Sequence, residues 1–240
     1  MRRRIEIVSA TKEEHQEVTP LYGSLMKLVR VGDISWDDVH FEMSNTKGLA
    51  EVYNKWIGKC GKDSVVVFAH DDIIIEDLFF REKIETGVEG TPILGLAGCS
   101  GPIRICEPAL WHLMSDKRRH VGEVAHFHPS EKAVNYASSP RSTTVFGPSS
   151  APAVFIDGVF MVVDLKAIPE TLRFDEKCPS KFHYYDLNFC LDALNKNVGV
   201  QVVPIRIVHK SPGLTGVSED WVEGQKYFIK KALGKIYGNN

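Results

Sequence analysis

The chain has 240 residues, of which 43% are hydrophobic and 25% are charged, and its formal net charge is −2. This length and composition are typical of a folded globular protein. The near-neutral charge excludes the strongly basic surface that nucleic-acid-binding domains usually carry, so we expect no nucleic acid among its partners.

The cysteines and the apolar segments predict a cytoplasmic protein. The five cysteines are odd in number, widely spaced and without a CxxC motif, which argues against a disulfide framework or a thiolate zinc site. The segment MRRRIEIVSATKEE lacks the apolar core of a signal peptide. No run of about 18 apolar residues is free of charge, so we expect no membrane span.

The first elements predict an α/β unit. IEIVS (5–9) is typical of a strand, and the charged segment TKEEHQEV (11–18) predicts a helix that Pro20 ends. NTKGLAEVYNKWIG (45–58) has its apolar residues on one helix face. The continuous apolar run VVVFA (65–69) then predicts a strand covered on both faces, central in a parallel sheet.

The next part of the chain predicts two strands around a long loop. ILGLAGCSG (93–101) and AVFIDGVFMVVD (153–164) are strand-like and interrupted by glycine. Between them, residues 102–152 are rich in His, Ser, Pro and charge and have little periodicity. Loops of this length usually form lids or binding loops.

The last part predicts two helices and a strand. Residues 185–195 have leucines on one helix face, and the apolar residues 200–208 predict a strand that ends at His209. Ser218 is a suitable N-cap for a C-terminal helix with acids in its first turns and lysines later.

The stretch VVVFAHDDIIIED places His70, Asp71 and Asp72 at the end of the predicted central strand, where α/β proteins bind ligands. Two carboxylates about 4 Å apart repel by roughly 4 kcal/mol at an effective dielectric constant near 20, so a buried pair needs a cation or a proton. His70 and Asp72, two residues apart, face the same side, and with His209 they form an oxygen and nitrogen set suited to Mn²⁺. Alternatively, one aspartate caps a helix that starts near Glu76 while the other is solvated.

Five segments, IEIVSAT, SNTKGLAEVYNKWI, VVVFAHDD, FHYYDLNFCLDAL and VPIRIVHK, resemble the nucleotide-sugar glycosyltransferases of the GT-A fold. The resemblance is greatest to inverting members of the large second family and their bacterial capsule-type relatives. It implies an α/β fold with a single mixed, mostly parallel central sheet flanked by helices. Residues 1–240 would form one domain, with a nucleotide-binding half (1–100) and an acceptor-binding half (101–240) that contains the 102–152 loop and the C-terminal helix.

The resemblance also implies the reaction: Mn²⁺- or Mg²⁺-dependent transfer of a sugar from a UDP-sugar to a hydroxyl acceptor, saccharide or lipid-linked, with inversion. Asp186 would be the general base, Asp157 and Trp111 would face the donor sugar or the acceptor, and His70, Asp72 and His209 would hold the metal. The residues implied beside the nucleotide are Ala10, Thr11, Asn45, Gly48, Leu49 and Asp71.

Three residues depart from the family pattern and leave alternatives open. His70 replaces the usual first aspartate, and Tyr185 and Asn188 replace the two acids that flank the base. A nucleotide-binding protein with weakened or lost turnover is therefore one alternative, and a metal-dependent phosphohydrolase using Asp71 and Asp72 is another. Asp186 is also explained as an acid favoured by a helix N-terminus.

One tryptophan and one group of three histidines each have two interpretations. Trp111 is suited to stacking on a sugar, although tryptophan is more often a packing residue of the core. His120, His126 and His128 in HVGEVAHFHP suggest a second metal site, although a solvent-exposed strand end has the same pattern.

Overall fold

A computed structural model of the chain describes residues 3–101, 111–114, 116–127, 141–210 and 218–237. The strands are β1 Ile5–Ala10, β2 Val39–Glu42, β3 Val65–Ala69, β4 Ile73–Ile75, β5 Ile93–Gly95, β6 Ala97–Cys99, β7 His120–Phe127, β8 Arg141–Val145, β9 Ala151–Ala153, β10 Phe155–Ile156, β11 Phe160–Asp164, β12 Val200–Val202 and β13 Ile207–His209. The helices are α1 Pro20–Arg30, α2 Leu49–Lys59, α3 Phe80–Gly90, α4 Trp111–Met114, α5 Tyr185–Asn195 and α6 Glu219–Tyr237.

The described strands form two mixed sheets, so the expectation of a single central sheet is wrong, whereas the α/β class is confirmed. The first sheet has the order β2-β1-β3-β11-β5-β12-β9, and the second has the order β10-β6-β7-β13-β4, with β8 paired to β7. In the first sheet β1, β2 and β3 run parallel, and β11 lies antiparallel between β3 and β5. All five residues of β3 are buried, as predicted for a central strand.

Segments predicted as single strands divide between the two sheets. Residues 93–101 contribute β5 to the first sheet and β6 to the second, and residues 200–208 contribute β12 and β13 in the same way. Such corners form where a strand bends and changes sheet. Within β6, Gly98 permits the close pairing with β10, because a Cβ there would lie 2.0 Å from the carbonyl oxygen of Phe155. Pro204 follows β12 and cannot donate to a strand ladder.

The helix predicted over residues 11–18 is wrong. That segment contains a single 3-10 turn, Gln16–Val18, and α1 begins at Pro20 instead of ending there. Proline suits the first helical position, because the N–H that it lacks has no partner in that turn. The Thr19 hydroxyl caps the helix by accepting from Tyr22 N at 3.3 Å.

The other helix predictions are confirmed. α2 begins at Leu49 and buries one face, α5 spans the predicted residues, and the Ser218 hydroxyl caps α6 by accepting from Trp221 N at 3.1 Å. No helix in the described part of the chain is long and apolar enough to cross a membrane.

The prediction of a long loop over residues 102–152 is partly wrong. Residues 102–110, 115 and 128–140 lie outside the described residues. The described remainder contains α4, β7, β8 and the beginning of β9. β7 lies between β6 and β13 in the second sheet and is mostly buried. Its sequence, HVGEVAHF, mixes glycine, histidine and glutamate with the apolar residues, which concealed the strand.

Candidate functional site

The His70-Asp71-Asp72 segment is the point at which the chain passes from the first sheet to the second. It joins β3 directly to β4, and β4 pairs antiparallel with β13, so that Ile73 lies opposite His209. The carbonyl oxygen of Asp72 accepts from Lys210 N at 2.8 Å. The helix-cap alternative for the two aspartates is therefore wrong, because a strand follows them and α3 begins only at Phe80.

His70, Asp72 and His209 come together at this crossing. One potential ligand atom from each lies within 4.8 Å of the others. Asp72 Oδ1 is 3.3 Å from His209 Nε2 and 3.9 Å from His70 Nδ1. That oxygen is buried and, among the described residues, has no hydrogen bond of good geometry. A buried carboxylate oxygen that lies between two imidazoles and has no well-aligned hydrogen bond fits a cation.

The electrostatics of the cluster are those of metal ligands. Burial and the neighbouring His209 lower the pKa of His70, which favours the neutral imidazole that binds metals. Burial alone would raise the pKa of Asp72, but His209 and His70 outweigh it and hold the pKa below its usual value. Adjacent ligands about 2.1 Å from one ion lie about 3 Å apart, so small side-chain rotations would bring all three onto a single ion.

A cleft of about 410 Å³ opens beside His70. With the exception of Gly48, the residues expected beside the nucleotide line it, namely Ala10, Thr11, Asn45, Leu49 and Asp71. Gly48 is the N-cap of α2, where a Cβ would lie 3.4 Å from the Lys181 backbone. Tyr53 and Lys12 also line the cleft, so it offers an aromatic ring and a cation.

Several polar groups of this cleft already have partners in the protein. The Thr11 hydroxyl is buried, accepts from Glu13 N at 3.1 Å and bonds to the Asp71 carboxylate. Burial, with a smaller contribution from the charge of Asp72, raises the pKa of Asp71. The Asn45 amide bonds twice to the backbone of Lys47. Thr11 and Asn45 therefore shape the wall, and Asp71 is a partly buried carboxylate that lines the cleft.

A second cleft of about 210 Å³ contains the residues expected near the transferred group. Asp157, Trp111 and Asp186 line it. Trp111 is also packed, since it is 4% exposed and its ring meets Phe146 edge-on at 4.9 Å between centroids. The structure thus combines the packing alternative for Trp111 with a position at the cleft.

Asp186 lies in the first turn of α5 and is held by two backbone N–H groups. Its Oδ2 accepts from Gly158 N at 2.9 Å, and its Oδ1 accepts from Leu187 N at 2.8 Å. Burial, followed by the charge of Asp157, nevertheless raises the pKa of Asp186 to about 7. A carboxylate with this pKa is suited to accept a proton near neutral pH.

The two clefts are neighbours, because His70, Phe182 and His183 line both of them. The sequence did not single out Phe182 and His183, although they lie in the FHYYD segment just before Asp186. It also missed Gly158, whose N–H bonds Asp186 and whose carbonyl oxygen accepts from the Tyr185 hydroxyl at 2.9 Å.

The second metal site proposed for three histidines of the HVGEVAHFHP segment has little support in the described part. His128 lies outside the described residues. His120 and His126 stand at opposite ends of the region 120–126 of β7, about 20 Å apart at strand spacing. His126 instead faces His209, with 6.0 Å between the ring centroids.

Comparisons with known proteins give one family. The profile of the glycosyltransferase like family matches residues 37–231. No curated protein matches the chain significantly. Among solved structures, the crystal structure of A197 from STIV is similar with a TM-score of 0.45 and 11% sequence identity, covering 87% of this chain and 86% of that one.

Proposed function

The chain belongs to the glycosyltransferase like family and is therefore an enzyme, and from this premise we propose its reaction. It transfers a sugar from a UDP-sugar to a hydroxyl acceptor, saccharide or lipid-linked, with Mn²⁺ or Mg²⁺ as cofactor and with inversion at the anomeric carbon. The proposal includes the GT-A fold, with a nucleotide-binding half (1–100) and an acceptor-binding half (101–240).

The observation that carries the proposal is the arrangement of the two clefts around His70. One cleft is lined by the residues expected beside a nucleotide, and the other contains Asp186. The donor would then lie across the junction, with its nucleoside in the larger cleft and its sugar pointing toward Asp186. Phe182, half-exposed at this junction, would cover the bound donor.

His70, Asp72 and His209 would hold the metal ion beside the donor diphosphate. When bound, the ion supplies positive charge that stabilises the departing nucleoside diphosphate. The chain itself contributes two neutral imidazoles and one carboxylate, which leaves a net charge of about +1 on a divalent ion for the phosphate oxygens.

On the acceptor side, the Asp186 carboxylate accepts the proton of the acceptor hydroxyl. The hydroxyl oxygen forms a bond to the anomeric carbon as the bond from that carbon to the diphosphate oxygen breaks. The N–H groups of Gly158 and Leu187 hold both carboxylate oxygens in place, so the base keeps its orientation while its charge changes. A single displacement of this kind inverts the anomeric configuration.

Calorimetric titration of UDP with Mn²⁺ and with EDTA tests the proposal. We expect UDP binding to need Mn²⁺ in the wild type and to lose this dependence together with its affinity in Asp72→Ala. Glu89→Ala, which removes an exposed acid of α3, is the control and should behave as the wild type. Equal UDP affinity in EDTA refutes the metal assignment.

Turnover of UDP-sugars then separates the alternatives. Slow hydrolysis of a UDP-sugar in the presence of Mn²⁺ supports the transferase. Tight donor binding without any turnover favours the nucleotide-sugar-binding alternative, and hydrolysis of simple phosphate monoesters favours the phosphohydrolase.

A further inference from the structure

Two of the residues that depart from the family pattern, His70 and Tyr185, are hydrogen-bond partners. Tyr185 OH lies 2.7 Å from His70 Nε2, although the residues are 115 positions apart. We propose that Tyr185 is a positioning residue that fixes His70 as the tautomer with its lone pair on Nδ1, facing Asp72. This inference rests on the proposed metal site and adds the device that orients one of its ligands.

The hydrogen-bond donors and acceptors around the Tyr185 hydroxyl determine the tautomer of His70. The Tyr185 hydroxyl has one hydrogen, and it is 2.9 Å from the carbonyl oxygen of Gly158, which only accepts. If that hydrogen is donated to Gly158, the Tyr185 oxygen must accept from His70 Nε2–H. The opposite arrangement would leave two oxygens facing each other at 2.9 Å without a hydrogen between them.

The other end of the His70 ring gives the same answer. His70 Nδ1 is 3.9 Å from Asp72 Oδ1, which is too far for a hydrogen bond. A proton on Nδ1 would therefore gain no partner there, whereas a proton on Nε2 has one at 2.7 Å. The lone pair of the neutral ring then lies on Nδ1, the ring nitrogen that is 3.9 Å from Asp72 Oδ1.

Tyr185 is held rigidly enough for this role. It is 3% exposed, and its ring packs edge-on against Tyr53 with 5.7 Å between centroids. Gly158 is necessary for the contact, because a Cβ at that position would lie 2.3 Å from the Tyr185 hydroxyl. The hydroxyl therefore cannot leave the position between Gly158 and His70 without repacking of the core.

The expected magnitude follows from metal sites in general. Metal-binding histidines commonly bond their second ring nitrogen to a fixed partner, and removing that partner usually lowers metal affinity by about 10- to 100-fold. Tyr185→Phe removes the hydroxyl and keeps the ring, so it tests the hydrogen bond separately from packing. Tyr184→Phe is the matched control, because Tyr184 is also buried and its hydroxyl has no hydrogen-bond partner among the described residues.

The experiment has two readouts. Long-range proton–nitrogen NMR of metal-free protein with nitrogen-15-labelled histidine identifies the tautomer of His70, whose signal is assigned by its absence in His70→Gln. Titration with Mn²⁺ followed by electron paramagnetic resonance gives the metal affinity. We expect the Nε2–H tautomer in the wild type, a mixed or reversed tautomer in Tyr185→Phe with Mn²⁺ affinity about 10- to 100-fold lower, and unchanged affinity in Tyr184→Phe.

The outcomes separate this inference from the function on which it rests. An Nδ1–H tautomer in the wild type overturns the inference without any variant and without metal. Mn²⁺ affinity in Tyr185→Phe equal to that of the wild type overturns the positioning role alone. A wild type that has the Nε2–H tautomer but binds no Mn²⁺ overturns the proposed metal site and, with it, the ligand role of His70.

Discussion

Replacing Asp186 by asparagine is expected to slow transfer strongly and to change the pH dependence of stability. The side chain keeps nearly the same shape but cannot accept a proton. General-base catalysis contributes roughly 10²- to 10⁴-fold to a rate, so we expect a loss of that size with donor affinity retained. The wild-type rate should rise with pH through about 7, the pKa of Asp186, and then level off.

The stability effect follows from the same pKa. The fold raises the pKa of Asp186 from 3.8 to about 7, so the folded state favours the protonated carboxyl. This contribution to stability is fully present below the unfolded pKa and is lost as the pH rises through the folded pKa. At about 1.4 kcal/mol for each tenfold change in acidity, the loss is on the order of 4 kcal/mol.

Asp186→Asn has no titrating carboxyl at this position, but it loses folding free energy by an amount that does not depend on pH. Asparagine has one oxygen where Asp186 offers two to Gly158 N and Leu187 N. The unmatched N–H should cost about 1–3 kcal/mol at every pH. We therefore expect Asp186→Asn to be less stable than the wild type in acid, and the difference to shrink or reverse above neutral pH.

Urea unfolding of metal-free protein at several pH values, paired with UDP-sugar turnover, measures both effects. A stability difference that does not change with pH would refute the raised pKa. A variant rate within about twofold of the wild type would show that Asp186 is only the N-terminal acid of α5.

Three further outcomes are expected. Mn²⁺ should raise the melting temperature of the wild type but not of His209→Ala. Because His209 ends a strand, the metal-free melting temperature of His209→Ala should match that of the wild type. A collapse of the metal-free fold contradicts this. Gly158→Ala should lose about 1–3 kcal/mol in urea unfolding and most activity, because its Cβ would meet Tyr185; an active, stable variant shows that the contact is dispensable. Phe182→Ala should weaken donor binding by about fivefold, corresponding to about 1 kcal/mol of lost apolar burial, with no change in melting temperature; unchanged affinity in calorimetry removes Phe182 from the donor site.

Three of the six α-helices in the described residues were predictable from the sequence, and the sheets were not. α2, α5 and α6 each have a periodic apolar face or a capping residue, which is local information. Membership of a sheet depends on partners far along the chain. Strands of two or three residues, such as β10 and β12, have too few positions to show which sheet they join.

Some residues of the candidate site were also predictable from the sequence, and others were not. The cleft residues expected beside a nucleotide lie at strand ends or at the start of α2, in local segments whose resemblance to the family identified them. The hydrogen bond between Tyr185 and His70 joins two distant segments directly, while the Gly158 carbonyl oxygen holds the same hydroxyl, and neither segment alone indicates it. Pro20 was misinterpreted because proline both ends helices and begins them, and the choice depended on the Thr19 cap.

The crossing between β3 and β4 has a mechanical consequence. His70 ends a strand of the first sheet, whereas Asp72 and His209 adjoin paired strands of the second. An ion held by all three would link the two sheets to each other at the short connection between β3 and β4. Any sliding of one sheet over the other would first have to stretch the coordination sphere. Binding of the proposed ion would then stiffen the enzyme across that junction. Without the ion, the two sheets would move more freely relative to each other.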